Sequence, residues 1–123
     1  MARTVAVIGA SNDRSRYANK AVRAFLAEGY IVVPVHPTET VVEGLRAYRR
    51  VSDVPGPLDM ATVYVPPAVT LTVLPELAAK GVAEVWLNPG SEDDAVLAEA
   101  RRLNLPITAA CSIVGLGRSQ SQF

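Results

Sequence analysis

Short apolar runs, several of them β-branched, alternate with helically patterned segments along the whole chain, and few folds accept that alternation. Residues 5–8, 30–35, 61–65, 85–87 and 107–109 read as strands. They are short and nearly continuously apolar, as in strands covered on both faces. Between them Ala18, Ala21, Val22, Phe25 and Leu26 recur at helical spacing up to Gly29. Val69, Val73, Leu74 and Leu77 do the same up to Gly81, after Pro66 and Pro67, which suit a first helical turn. Val96, Leu97, Ala100 and Leu103 mark a third helix behind the acidic start Glu92-Asp93-Asp94, with Ser91 the expected N-cap. Residues 36–57 read as irregular, with one helical turn near 51–55. Pro34 is expected to end the pairing of its strand, because it has no N–H for the ladder. Right-handed crossovers turn this order into an α/β fold, a doubly wound and mostly parallel sheet of about five strands with flanking helices. With 123 residues the chain suits one domain, 1–117, followed by a polar tail, 118–123, expected to fray.

Charge and cysteine content narrow the function. The 12 basic and 12 acidic residues cancel, which argues against a general nucleic-acid binder. No apolar run is long enough for a bilayer, and Arg3 is followed by no long apolar segment of the signal-peptide kind. Cys111 is the only cysteine, so no internal disulfide forms, and a cytoplasmic location is the expectation.

Open α/β sheets bind ligands beyond the carboxyl ends of their strands. That rule selects residues 9–20, 36–38, 65–67, 88–90 and 110–112. The first is the most telling: the strand ends in Gly9-Ala10-Ser11 and a helix begins near Arg16 or Tyr17. Backbone N–H groups at a helix start lack intrahelical partners, and the helix dipole favours an anion there. A dinucleotide fingerprint needs two more glycines, at the positions held by Ser11 and Arg14. Its ribose-binding acidic residue is also absent; His36 and Pro37 stand after the second strand. No Gly-Lys-Ser/Thr follows Gly9, which excludes a nucleoside triphosphatase loop. The turn is flanked instead by Arg14, Arg16 and Lys20, side chains suited to a ligand with several phosphates.

Gly9-Ala10-Ser11, Arg16 with Ala18-Asn19, Gly29-Tyr30, Val33-Pro34-Val35-His36-Pro37 and Val65-Pro66-Pro67 together resemble the small stand-alone CoA-binding domain proteins. Those are similar to the N-terminal CoA-binding domain of the succinyl-CoA synthetase α-subunit. The resemblance covers nearly the whole chain. It implies a Rossmann-like sheet carrying coenzyme A along its carboxyl edge. It also implies phosphates at Gly9-Ala10-Ser11 and Arg16, and adenine beside Val65-Pro66-Pro67. The chain departs from the family in having His36 where asparagine is usual and Val65 where arginine or lysine is usual. Asn88-Pro89-Gly90-Ser91 replaces a glutamine-containing segment.

His36 at the ligand edge suits ligand contact, a general base or a structural turn. Cys111 either faces the ligand thiol or is a small buried apolar group. Trp86 and Tyr64 read as core, and Glu92, Asp93 and Asp94 as helix-start acids, with no metal site. The expectation is a protein that holds coenzyme A or an acyl-CoA without complete catalytic machinery. Its binding positions are Gly9, Ala10, Ser11, Arg14, Arg16, Lys20, His36, Pro37, Val65, Pro66, Pro67, Asn88, Gly90 and Cys111. No nucleic-acid or membrane partner is expected, and a homo-oligomer is left open. Two alternatives stand beside it: an enzyme acting on a nucleotide or CoA thioester through His36 or Cys111, and an interaction module with a vestigial ligand site.

Overall fold

Val5, Ala6, Val7 and Ile8 are all buried, so the strand they form needs cover on both faces. The computed structural model describes residues 2–123 and supplies that cover with helices on each side of one sheet. The sheet holds β1 (Thr4–Ile8), β2 (Ile31–Val35), β5 (Met60–Val63), β6 (Glu84–Leu87) and β7 (Ile107–Ala109). All neighbours are parallel, in the order β2-β1-β5-β6-β7. Strand order therefore reverses at β1, beside β5. The helices are α1 (Tyr17–Ala27), α2 (Pro67–Lys80), α3 (Asp94–Arg102) and the short α4 (Ser112–Gly115).

Alternation along each strand sorts the core into two layers. Ala6, Ile8, Ala61, Val63, Val85 and Leu87 face Val73, Leu74 and Leu77 of α2 and Val96 and Ala100 of α3. Val5, Val7 and Met60 face Ala21, Val22 and Phe25 of α1 and Ile113 of α4. Phe25 meets Tyr30 edge-on, with centroids 4.9 Å apart, and is 1% exposed. A core aromatic of this size contributes about 1.5–3 kcal/mol through burial.

Pairing does not end at Pro34. Its register partner in β1 is Val7, and Ile8 pairs with Val35 beyond it. The Pro34 carbonyl accepts from Tyr48 N at 3.0 Å on the outer side of β2, so the missing N–H faces away from β1. Residues 36–57 are not wholly irregular. They contain the hairpin β3 (Val41–Val42) and β4 (Leu45–Arg46), and Tyr48 forms a parallel bridge with Val35. The helical turn expected near 51–55 is a 3₁₀ turn, Val51–Asp53. Ser91 does not cap α3: its hydroxyl donates to the Asn88 carbonyl at 2.7 Å, and Asp93 is the N-cap, accepting from Val96 N. The tail is docked where fraying was expected. Arg118 pairs with Glu28 at 2.5 Å, Arg23 donates to the Phe123 carbonyl, and Phe123 packs against the α1 layer.

Candidate functional site

The carboxyl ends of β1, β2 and β5 converge on Gly9. Its N–H donates to the Val35 carbonyl at 2.9 Å, and Tyr64 N donates to the Ile8 carbonyl at 2.9 Å. Gly9 has φ +88°, and a Cβ there would lie 2.9 Å from Val65 Cγ1. Only glycine satisfies both the backbone and the space. Ala10 is fully buried under the turn. The Ser11 hydroxyl accepts from Asp13 N at 3.0 Å, and Asp13 Oδ1 accepts from Ser15 N and Ser15 Oγ at 3.0 and 2.6 Å. Those Ser15 bonds hold the Asp13 carboxyl below its ordinary value. The turn delivers the chain to Arg16, the N-cap of α1, in extended conformation. Among the described residues no side chain caps this helix, and its first turn carries no acidic residue. Its start is thus free for an external anion.

Three cavities lie in series along this edge. The central one, about 380 Å³, is bounded by Gly9, Arg16 and Tyr17 on one bank and by Tyr64-Val65-Pro66 and Pro89-Gly90 on the other. An outer cleft of about 350 Å³ shares Gly9 and Val65 with it and opens between Val35, Pro37, Arg49, Arg50, Val69 and Val73. An inner recess of about 190 Å³ shares Tyr17, Tyr64 and Pro89 with the centre and reaches Asn88, Cys111 and Gln120. The path runs from the β2 side of the sheet to the β7 side, a shape for an elongated ligand.

The recess stands on a buried polar network. Asn88, 1% exposed, donates to Thr62 Oγ1 at 2.7 Å and to the Val63 carbonyl at 2.9 Å, and accepts from Ser112 N at 2.8 Å. Ser112 Oγ lies 2.8 Å from Thr62 Oγ1 and 3.2 Å from the Tyr64 phenol. Burial above all pushes that phenol up to about 12. Gln120, from the docked tail, donates to Cys111 Sγ at 3.0 Å.

Gly9, Arg16, Val65, Pro66 and Gly90 line the central cavity, Pro37 the outer cleft, and Asn88 and Cys111 the recess. Pro67 opens α2. The remaining positions are engaged elsewhere. Arg14 pairs with Glu43 at 3.0 Å, and Lys20 lies over the Tyr17 ring. His36 Nδ1 accepts from Thr38 N and Glu39 N at 3.1 and 2.9 Å and so fastens its own turn. Asn88 has its amide spent inside the protein and is a support for the α4 start. Tyr17, Tyr64, Pro89, Arg49 and Arg50 line the path without having been singled out as binding residues. Tyr17 and Pro89 lie inside selected segments, and Tyr64 lies next to one. The arginine pair sits between Tyr48 and the buried Val51, a basic pair flanked by apolar residues in a stretch read as irregular.

The family model described as CoA binding domain matches residues 3–116. The α subunit of ADP-forming acetate–CoA ligase II from Pyrococcus furiosus is 37% identical over 84 residues, 68% of this chain and 18% of that protein. The chain thus spans about a fifth of that relative's length. Among solved structures, a conserved hypothetical protein from Pyrococcus furiosus superposes with a TM-score of 0.84 at 30% identity, covering 92% of this chain and 98% of that one. The dinucleotide-forming acetyl-coenzyme A synthetase 1 from Ca. Korarchaeum cryptofilum gives a TM-score of 0.76 at 28% identity, covering 87% of this chain and 25% of that one.

Proposed function

The chain belongs to the CoA binding domain family, and from that premise we propose that it holds coenzyme A, free or as an acyl-CoA, along the carboxyl edge of its sheet. The observation that carries this reading is the series of three cavities, the outer cleft joined to the centre at Gly9 and Val65 and the inner recess joined to it at Tyr17, Tyr64 and Pro89. The pyrophosphate belongs at the centre, against the N–H groups of Ala10 and Ser11 and the uncapped start of α1, with Gly9 leaving room for it and Arg16 beside it. The adenine belongs in the outer cleft, where Val65 and Val69 offer apolar surface and Pro37 a rigid ring. The pantetheine arm then runs past Tyr64 and Pro89 toward Cys111. Arg14 and Lys20 add positive potential without needing direct contact. His36 shapes the rim through its turn.

Ligase chemistry is a property of the longer relatives. For this chain the proposal is the holding of the cofactor in the cytoplasm. A ligand bound only by the native state raises stability by mass action. Coenzyme A is therefore expected to raise the melting temperature more than NAD or ATP at equal concentration. Equal or larger stabilisation by NAD would overturn the reading.

A further inference from the structure

The outer cleft carries two cations at its mouth. The backbone on either side holds them there. Tyr48 is tied to β2 by its N–H on the Pro34 carbonyl at 3.0 Å and its carbonyl under His36 N at 2.8 Å. Val51, on the other side, is 2% exposed in the core. Arg49 and Arg50 therefore cross the end of β2 on an anchored segment of two residues. Arg49 donates through Nε to the Pro37 carbonyl at 3.3 Å. Arg50 approaches Glu76 through Nε at 3.5 Å, and Glu76 also accepts from Ser52 N. Neither arginine has a partner on its Nη groups among the described residues, and Arg49 is in no ion pair among them. Glu76 is the acidic residue lining this cleft, so the two arginines leave it with a net positive charge.

Paired, fork-shaped donors at the rim of an apolar cleft suit a phosphomonoester more than a hydroxyl. With adenine on Val65 and Val69, the group that reaches this rim is the phosphate on the adenosine ribose. We propose that Arg49 and Arg50 form a subsite for that ribose phosphate, so that the chain distinguishes coenzyme A from 3′-dephospho-coenzyme A. The inference rests on the coenzyme A reading above. It adds that selectivity resides in a segment outside the glycine turn and the proline pair.

The test is calorimetric titration of the wild-type chain with coenzyme A and with 3′-dephospho-coenzyme A, then of the Arg49→Gln/Arg50→Gln variant. The wild type is expected to prefer coenzyme A at least tenfold. The variant is expected to lose that preference while its affinity for the dephospho form stays within twofold. Equal wild-type affinities would overturn the subsite and leave the coenzyme A reading intact. Binding of neither compound would overturn both. A variant that keeps the full preference would place the ribose phosphate elsewhere. If the double variant fails to fold, Arg49→Gln alone is used, since Arg49 makes one bond to the Pro37 carbonyl and no ion pair, and unchanged preference there counts against the subsite. A companion titration with NADP and NAD separates the 2′ from the 3′ phosphate. A larger NADP-over-NAD preference than that between the coenzyme A forms would also overturn the assignment.

Discussion

Gly9 joins backbone conformation to packing at one position: its positive φ turns the chain, and its missing Cβ admits Val65. Gly9→Ala is expected to cost about 1–3 kcal/mol in urea unfolding, the range for a residue forced into a sparsely populated conformation. Arg16 tests the anion site separately from the fold, because its side chain is 71% exposed and its contact with Asp13 is loose at 3.7 Å. Arg16→Ala is expected to weaken coenzyme A binding by about 1–3 kcal/mol, the scale of a lost charge-assisted contact. Arg102→Ala, on the exposed side of α3 with Glu99 as its partner, is expected to leave affinity unchanged in the same calorimetric assay. Tyr64 makes a prediction in pH. Its phenol, pushed up to about 12 by burial, keeps its proton in the folded chain where the unfolded chain loses it near 10. Folding then holds the extra proton, so stability falls as pH rises between those values, by about 1.4 kcal/mol per pH unit. Denaturant midpoints across that interval are expected to fall less steeply for Tyr64→Phe than for wild type.

The hairpin β3–β4 is held to the glycine turn by Glu43 and by Asn12, whose amide donates to the Val41 carbonyl at 2.7 Å. Glu43 accepts from Arg14 Nη1 at 3.0 Å and from the buried Asn19 at 3.1 Å, while its own N–H donates to Asn12 Oδ1 at 3.2 Å. Glu43→Gln is expected to lower stability by about 1–2 kcal/mol, the cost of weakened bonds to a charged, partly buried acceptor. Hydrogen exchange is expected to speed up first in residues 41–48. Elements of this kind mark where the sequence was hard to read. The five parallel strands were legible because Val5–Ile8 are apolar and buried on both faces, and the other strands are short, mostly apolar runs set between helical patterns. The hairpin was not, because Val41-Val42 and Leu45-Arg46 are two residues each and Glu43 and Gly44 turn between them at positive φ. At the site, Gly9, Val65 and Gly90 were legible as strand ends. Arg49 and Arg50 were not, since their position depends on Tyr48 docking against the outer side of β2, a contact set by no local pattern. Ser91 and Asp93 show a smaller version of the same limit: both are good caps by composition, and the Asn88 carbonyl decided which served.

Across the whole molecule the two core layers meet different parts of the chain. Beyond β1, which serves both, the α2–α3 layer is built from the middle of the sequence, whereas the α1 layer is closed by residues from the end, Ile113 of α4, Leu116 and Phe123. The last dozen residues thus complete one wall of the recess and one face of the core together. Gly115 is the point of contact: a Cβ there would come 2.6 Å from Trp86 Cη2, so α4 packs directly against the six-membered ring of the indole, whose N–H is held by Glu84 at 2.7 Å. Trp86 is also the chain's one tryptophan. The protein therefore carries a built-in fluorophore whose roof is its own C-terminal segment. Lifting that roof hydrates the indole and shifts its emission to the red while the parallel strands, and with them the far-ultraviolet dichroism, stay in place.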